Sequence, residues 1–260
     1  MRIAPIQLFA QSLQFAHVGH VPYERHVFAC EHAQSKGWTE GALIKRVAES
    51  LSLDINPLVQ LASLVPDLSG FGAAFNLYNS RSNLGWRTLL DFKNDRELAV
   101  TRERFSLSDG VELSIAKDCT LACAEVLIDG VDQRGRGRSI DLIAPSVSAL
   151  VERLGLSATP FWEASLFFES EPEGKVSDLA NQLGCSARTL NRAFDAHGVR
   201  ATELKQVVML IKASRMFALP LTLTEIAHEC GYFDLAHFTR SFKRSVGVTP
   251  SAMRKAAFGL

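Results

Sequence analysis

The spacing of apolar positions indicates a helix near the start of the chain. In residues 38–53, WTEGALIKRVAESLSL, one helical face would carry Leu43, Val47, Ala48 and Leu51. Apolar residues that recur every three or four positions are typical of an amphipathic helix with one face on a core. We therefore predict a helix in this stretch.

The pattern changes between FNLYN (75–79) and Gln133, where apolar and polar positions alternate and β-branched residues are frequent. Alternation predicts strands, and Asp109-Gly110 and Asp129-Gly130 are candidate hairpin turns because Asp-Gly pairs favour the backbone angles of such turns. Helical spacing returns in SVSALVERLGL (146–156). The prediction for residues 1–168 is an α+β domain.

A stretch without apolar residues, ESEPEGK (169–175), follows this domain and is a candidate linker because Pro172 and Gly174 disfavour regular structure. Residues 176–260 are predicted to be all-helical, and a pattern occurs twice in them. The offset between the copies is 47 residues as far as a shared glycine and 48 residues beyond it. The first copy is LANQLGC (179–185) with LNRAF (190–194), and the second is IAHECGY (226–232) with FTRSF (238–242).

Each copy predicts a short helix, a turn and a second helix. Gly184 and Gly231 stand where a left-handed cap would end the first helix. Ser186 and Asp234 stand where a side-chain oxygen would accept backbone N–H groups at the start of the second helix. Two copies are too few for a solenoid, so the repeat predicts a duplicated helix-turn-helix unit.

A long helix is predicted between the two copies, in ATELKQVVMLIKASRMFALP (201–220). It would end before Pro220, and Thr222 with Glu225 would form a capping box for the helix that follows. If the long helix is rigid, it sets the distance between the two units. Its predicted buried stripe is Leu204, Val208, Ile211 and Met216.

Apolar pairs four residues apart decide which face of each second helix is exposed. Leu190 and Phe194 must point inward in the first unit, as must Phe238 and Phe242 in the second. A helix about 10–12 Å across fits a DNA major groove about 12 Å wide, where arginine and asparagine pair with guanine and adenine edges. The outward side chains are then Arg188, Asn191, Arg192 and Asp195 in the first unit, and Ala236, Thr239, Arg240 and Lys243 in the second.

The net charge of zero conceals an asymmetry between the two parts of the chain. Residues 1–174 hold 16 Lys and Arg against 22 Asp and Glu, a balance of −6. Residues 175–260 hold 12 against 6, a balance of +6. A basic module joined to an acidic one predicts a polyanionic partner for the C-terminal part, although a basic soluble face is the alternative.

Cysteine usage and hydropathy predict a cytoplasmic protein. The five cysteines are odd in number and scattered, which indicates reduced thiols. The first 20 residues lack the pattern of a signal peptide, and apolar runs stay shorter than the roughly 20 residues of a membrane span, so no membrane association is expected. Core packing is the simplest interpretation of Cys119, Cys123, Cys185 and Cys230, with the first two in a presumed strand region.

The segment from Val176 to Lys255 resembles the DNA-binding domain of the AraC/XylS family of bacterial transcription regulators. The resemblance lies in IAHECGYFDLAHFTRSFKRSVGVTP (226–250) and, upstream, LANQLGCSARTLNRAF (179–194). It implies two helix-turn-helix units joined by a long helix that bind adjacent major-groove segments of double-stranded promoter DNA. It also implies activation of transcription through contact with RNA polymerase.

The family's DNA-contacting positions carry over to both second helices of this chain. They place bases against Arg188, Asn191 and Arg192 in the first unit, with phosphate near Ser186 and Thr189. In the second unit Lys243 would contact the phosphate backbone of the DNA. Leu235 and Ala236 stand where members often have a polar side chain such as glutamine, so contact with thymine methyl groups or with phosphates is an alternative to hydrogen bonding there. The base-contacting positions of the second unit are Leu235, Ala236, Thr239 and Arg240.

For residues 1–168 the resemblance implies a domain that binds a small-molecule effector or mediates dimerisation. The His-x-His pattern of a metal-binding cupin is missing from the sequence. We predict neither a metal nor a cofactor, because the densest group of possible ligands has spacings unlike a zinc module. That group is His17, His20, His26, Cys30 and His32. The basic cluster QRGRGR (133–138) is interpreted as a solvated hairpin end, with an acidic ligand or DNA as the alternative.

The sequence lacks the catalytic motifs of a G-x-S-x-G nucleophile or a glycine-rich phosphate loop, so we do not expect an enzyme. A sequence-specific transcription regulator, an activator, is the leading hypothesis. Two alternatives remain: an enzyme domain fused to a DNA-binding tail, and a helical protein-interaction module that does not bind DNA.

Overall fold

The computed structural model describes residues 4–18, 31–80, 86–94, 97–104, 114–135 and 145–260. These ranges are mostly helical, with a small two-stranded antiparallel sheet. Helix and sheet both occur before residue 168, and helix alone follows it, as predicted. None of the helices within the described ranges is long and apolar enough to cross a membrane.

The described residues up to Ser170 comprise helices and a two-stranded hairpin, and residues 31–35 are also helical. Helices near both ends of this region confirm the predictions for 38–53 and 146–156. The elements are α1 (Pro5–Val18), α2 (Glu40–Ser50) with a 3-10 turn (Leu51–Leu53), α3 (Pro57–Ala62), α4 (Leu68–Asn79), β1 (Trp86–Asn94), β2 (Glu97–Arg104), α5 (Ser114–Gly135), α6 (Val147–Arg153) and α7 (Pro160–Ser170).

Strands β1 and β2 pair antiparallel, with Leu90 opposite Val100 and an irregularity between Phe92 and Asn94. Helix α4 supports β1 because the Asn76 side chain completes the hydrogen bonds of one strand residue. The Asn76 amide donates to the Leu90 carbonyl at 2.8 Å, and its oxygen accepts the Leu90 N–H at 2.8 Å. The hairpin is therefore fixed to the helical body along β1.

The strands predicted for residues 114–133, and the hairpin turn among them, are wrong. This stretch lies in α5, and Asp129-Gly130 lies inside that helix; FNLYN likewise ends α4. The buried positions explain the difference, because they form two sets, each with a helical spacing of three or four residues, and the two sets meet different neighbours. Ile115 and Cys119 pack on α2, while the core of α3 and α4 receives Ala124, Leu127 and Val131. The other candidate turn, Asp109-Gly110, lies outside the described residues.

A small cluster of three polar side chains, those of Asp54, Asn56 and Tyr78, lies beside α3. The Asp54 carboxylate accepts the Asn56 N–H at 2.8 Å, and the Asn56 amide donates to the Tyr78 hydroxyl at 2.9 Å. Burial raises the pKa of Asp54 to about 6 and that of Tyr78 well above its usual range. Both groups are therefore held in an environment that favours their neutral forms.

The C-terminal region is helical throughout. The helix between the two repeats runs from Ala201 to Met216; Leu204, Val208 and Ile211 are buried and Met216 is half-buried, as its predicted stripe requires. The elements are α8 (Val176–Gln182), α9 (Ala187–Asp195), α10 (Ala201–Met216), α11 (Leu223–Glu229), α12 (Leu235–Val246) and α13 (Pro250–Phe258). We call α8 with α9 the first helix pair and α11 with α12 the second helix pair.

Two hydrophobic clusters each combine residues from before and after residue 175. The first helix pair shares one cluster with α1, α6, α7 and one side of α10. The second pair shares the other with α3, α4, α5, α13 and the remaining side of α10. Each helix pair therefore shares its hydrophobic cluster with a different set of N-terminal helices.

Candidate nucleic-acid interface

The turns of the two helix pairs have the same construction. Gly184 and Gly231 adopt positive φ angles of 64° and 77°, the left-handed conformation predicted for them. The residue after the glycine closes each turn with a backbone hydrogen bond. The Cys185 N–H donates to the Ala180 carbonyl at 2.9 Å, and the Tyr232 N–H donates to the Ala227 carbonyl at 2.9 Å. The sequence repeat is therefore a structural repeat.

The predicted capping residues begin the helices that follow these turns. The Ser186 hydroxyl accepts the Thr189 N–H at 3.1 Å, and Asp234 accepts the His237 N–H at 2.6 Å. Ser186 and Thr189 also share a hydrogen bond between their hydroxyl groups at 2.9 Å. Side-chain acceptors at these positions fix where each second helix starts and how it leaves the turn.

A capping box also begins α11, as predicted. The Thr222 hydroxyl accepts the Glu225 N–H at 3.2 Å, and the Glu225 carboxylate accepts the Thr222 N–H at 2.6 Å. The Thr222 N–H and the Thr222 hydroxyl, which donates to the same carboxylate at 2.8 Å, lower the pKa of Glu225 because they stabilise its ionised form. The start of the second helix pair is thereby fixed as well.

Helix α9 buries its apolar pair and exposes the polar side chains that the sequence predicted. Leu190 and Phe194 lie in the core, and the opposite face is open to solvent. The exposed candidate residues at this end of the pair are Ser186, Arg188, Thr189, Asn191 and Arg192. Exposure makes these side chains available to a ligand; their contact with DNA stays a prediction.

Helix α12 has the same arrangement. Phe238 and Phe242 are fully buried, while Thr239 is half-buried. The exposed candidates are Leu235, Ala236, Arg240 and Lys243. We call the candidate residues of α9 and α12, with Ser186, the candidate DNA face.

The cations of this face are free to meet an external anion. Within the described ranges, Arg188, Arg192, Arg240 and Lys243 form no ion pair with an acidic side chain within 4.0 Å. A cation without an internal partner keeps its full attraction for phosphate, and no internal contact has to be broken before it binds. The electrostatics therefore favour a polyanionic ligand.

The first helix pair depends on the N-terminal region for its position. The Phe161 ring on α7 lies between Phe9 of α1 and Phe194 of α9, with centroid distances of 5.1 and 4.6 Å. The Gln14 amide on α1 donates to the Gly198 carbonyl at 3.1 Å, just after α9. Helix α1 also contacts α10 and α12. A change in α1 or α7 would thus be felt at α9.

The buried side chain of Arg254 holds the chain segment that leads from α10 into the second helix pair. Arg254 on α13 donates to three carbonyl groups that follow the end of α10, those of Phe217 at 3.1 Å, Leu219 at 2.7 Å and Leu221 at 2.5 Å. Carbonyl groups at a helix end lack internal partners, so the guanidinium supplies the donors that they need. This contact sets the route of the chain from α10 into the second pair.

The segment between α7 and α8 contacts α10 and the turn of the second helix pair. The Lys205 ammonium donates to the Gly174 carbonyl at 2.8 Å and lies 5.8 Å from the Phe168 ring centroid. Burial lowers the pKa of Lys205. A Cβ on Gly231 would lie 2.5 Å from the carbonyl carbon and oxygen of Pro172. The predicted linker is therefore held at Pro172 and Gly174, while its charged residues Glu171, Glu173 and Lys175 are exposed.

The cysteines of the described residues are free thiols with packing roles. Cys119 and Cys230 are buried, and Cys123 and Cys185 are partly buried beside the hydrophobic clusters. Burial raises the pKa of Cys123 and of Cys230 to about 12. These observations confirm the packing interpretation, although Cys119 and Cys123 lie on a helix and not on a strand.

The histidine and arginine clusters of the sequence are only partly described. His17 is half-buried and burial lowers its pKa, and His32 is exposed. Within the described part of the chain, no group of three or more His, Cys, Asp or Glu side chains could hold a metal. Gln133 to Gly135 are the end of helix α5, so the hairpin end expected there is wrong. His20, His26, Cys30 and residues 136–138 lie outside the described residues, so the predictions for them stay predictions.

The sequence patterns did not reveal the residues that hold the candidate DNA face in position. Helix α1 went unpredicted although Phe9, Leu13 and Ala16, all buried, have helical spacing. Arg254 is read from sequence as an exposed charge because its three carbonyl partners come from a bend that no local pattern reveals. A second missed residue is Phe233, an aromatic side chain that is 85% exposed beside α12.

Residues 179–256 match a family model described as a helix-turn-helix domain. The transcriptional activator RhaS of Pectobacterium atrosepticum is 29% identical over 109 residues, which are 41% of this chain and 38% of the relative. The transcriptional regulator GlxA of Rhizobium meliloti is 34% identical over 116 residues, 43% of this chain and 36% of the relative. The crystal structure of ToxT from Vibrio cholerae is 17% identical with a TM-score of 0.38, covering 51% of this chain and 58% of that one.

The C-terminal segment is therefore a helix-turn-helix domain. It belongs to the AraC/XylS type, as the resemblance of its motifs predicted. This chain spans well under half the length of the curated relatives that it matches.

Proposed function

We propose that this chain is a sequence-specific DNA-binding transcription regulator, an activator, in which α9 and α12 enter neighbouring segments of the major groove. The observation that supports this most strongly is the duplicated helix pair. Each pair has a glycine turn, a capped second helix and a free cationic face. A helix presented on a rigid turn is the geometry by which helix-turn-helix domains read base edges.

In this proposal the two pairs are helix-turn-helix units joined by α10. Residues 176–260 form the DNA-binding domain, 169–175 the linker and 1–168 the regulatory domain. The buried residues of α10 support its role as a rigid spacer, since residues of α10 are packed in both hydrophobic clusters. Two units reading one face of the duplex must lie about one helical turn, roughly 34 Å, apart.

The first unit carries the richer base-reading chemistry. Arg188 and Arg192 can each pair with guanine, and Asn191 with adenine. The hydroxyl groups of Ser186 and Thr189 lie at the start of the helix, where a phosphate is favoured by the helix dipole. In the second unit the base-facing residues are Leu235, Ala236, Thr239 and Arg240, with Lys243 on the phosphate backbone.

The N-terminal region would regulate this domain by binding a small-molecule effector or by mediating homodimer formation. Support comes from the shared cores: α1 and α7 lie in the same cluster as α9, α3 to α5 share the cluster of the second pair, and α1 also contacts α12. A ligand that shifts these helices changes the relative position of the two units. RNA polymerase is the proposed partner for activation, in the cytoplasm, and no catalytic step is assigned to the chain.

Affinity measurements on a selected site test the proposal. After selection of a binding site from random duplex DNA at fixed salt, Arg192→Ala should weaken cognate binding by about 1–3 kcal/mol and relax specificity at one position. Lys243→Ala should weaken binding to all sequences alike, because phosphate carries no sequence information. The matched control is Lys255→Ala, which removes an exposed cation from α13, outside the candidate DNA face.

Salt dependence separates this function from the alternatives. DNA binding through several phosphates gives a steep linear fall of log affinity with log salt concentration. A protein-interaction module would bind mixed duplex DNA weakly and without that slope, and an enzyme domain would turn over its bound ligand. Cognate affinity of Arg192→Ala equal to that of the original protein would contradict the role given to α9.

A further inference from the structure

The turn of the second helix pair contains one residue that the first lacks. In the first pair Cys185 is followed directly by the capping residue Ser186, whereas in the second Phe233 stands between Tyr232 and the capping residue Asp234. This accounts for the change of offset from 47 to 48 residues. The inserted residue is the most exposed large apolar side chain among the described residues, at 85%.

The exposure of Phe233 follows from how its neighbours are held. Tyr232 is 3% exposed, with its ring 4.9 Å from that of Phe238. The Phe233 N–H donates to the His237 imidazole Nδ1 at 3.3 Å, and Asp234 caps α12 through the His237 N–H. The backbone on both sides of Phe233 is therefore fixed, and its ring is directed into solvent at the start of α12.

Two further apolar side chains continue this surface. Leu235 is 37% exposed and Ala236 is exposed, and both lie in the first turn of α12. We call Phe233, Leu235 and Ala236 the apolar edge. It is continuous with the cationic residues Arg240 and Lys243 on the same helix, so its partner must offer an apolar group within an anionic surface.

The major groove provides one such group, the C5 methyl of thymine, which protein side chains recognise by apolar contact. We propose that the apolar edge reads thymine methyl groups, so that the second unit selects sites by their methyl pattern while the first unit uses hydrogen bonds. This inference rests on the DNA-binding function proposed above. It assigns Phe233 a role in specificity, outside the positions that the family resemblance supplied.

Replacement of thymine by uracil tests the inference, because the two bases differ only by the methyl group. Each thymine of the selected site is changed to uracil in turn, and affinity is measured for the original protein and for the double variant Phe233→Ala with Leu235→Ala. One buried methyl contributes about 0.8 kcal/mol, which is about fourfold in affinity. We expect a loss of about fourfold at one to three positions next to the second unit, and no loss at those positions for the double variant.

A matched control uses Leu166→Ala, since Leu166 on α7 is 40% exposed and apolar but lies away from α12. This variant should keep the full sensitivity to uracil. Equal unfolding midpoints of the three proteins would show that the substitutions leave the fold intact, as the exposure of Phe233 predicts.

Two results would overturn the inference. One is an original protein that binds every uracil-substituted site as tightly as the thymine site. The other is a double variant that keeps the same uracil sensitivity at the same positions. In both cases a selected site with steep salt dependence would leave the DNA-binding function standing, whereas failure to select any site would refute that function itself.

Discussion

The contact of Arg254 with the end of α10 gives a sharp prediction for stability. Arg254 is 8% exposed, and its guanidinium donates to three carbonyl groups, those of Phe217, Leu219 and Leu221. Arg254→Met keeps most of the alkyl stem but removes every donor. The cost should therefore come from the carbonyl groups that remain, and not from a cavity.

The magnitude follows from the burial of each carbonyl group. The hydrogen bond to Phe217 is buried, and an unsatisfied buried acceptor costs about 1–3 kcal/mol. The bonds to Leu219 and Leu221 are part-buried, so water can replace the donor and each loss is that of an ordinary hydrogen bond, about 0.5–1.5 kcal/mol. Arg254→Met should lower the free energy of unfolding by about 2–6 kcal/mol.

Urea unfolding followed by far-UV circular dichroism measures this cost. Arg254→Lys should recover less than half of it, because one ammonium cannot span three carbonyl groups. Lys255→Met serves as the control, since Lys255 is the exposed neighbour on the same helix. A loss below 1 kcal/mol for Arg254→Met, or a loss equal to that of Lys255→Met, would refute the assigned role of Arg254.

Three further measurements test local features. Gly231→Ala should lower the urea midpoint clearly more than Gly184→Ala, because both residues have positive φ but only the new methyl at Gly231 would meet backbone; equal effects would contradict this. Burial raises the pKa of Asp54 from 3.8 to about 6, so the ionised form costs stability as pH rises between those values. Asp54→Asn should match the original stability below pH 4 and exceed it at pH 7, and a constant difference across this range would be the contrary result. Cys230, with its pKa of about 12, should react with iodoacetamide at pH 8 only as the protein unfolds, as mass spectrometry of a urea series would reveal.

The C-terminal region, residues 176–260, could be predicted from sequence because its signals are local. The caps Ser186 and Asp234 and the glycine turns are each specified within a few residues. The apolar pair of each second helix, such as Leu190 with Phe194, decides its buried face. Where propensity, capping and apolar spacing agree, the elements follow directly.

The N-terminal region, residues 1–168, could not be predicted to the same depth because its elements are decided by distant contacts. Helix α5 meets α2 with one part of its surface and the α3–α4 core with another, which blurs the single apolar stripe expected of a helix. Helix α1 is stabilised by partners such as Phe161 and Phe194, more than 140 residues away. No window of sequence contains both sides of these contacts.

The regulatory proposal depends on the same long-range packing. Phe161 connects α1 to α9, and Gln14 connects α1 to the residues that follow it. The orientation of the first helix pair is therefore a property of the whole chain and not of the helix-turn-helix domain alone.

Hydroxyl-radical footprinting of the full chain on its selected site tests the central claim most directly. If α9 and α12 both read DNA, the original protein should protect two segments on one face of the duplex, about one helical turn apart. Arg192→Ala should weaken protection of one segment and Arg240→Ala that of the other. Protection of a single segment, or loss of the same segment in both variants, would contradict the account.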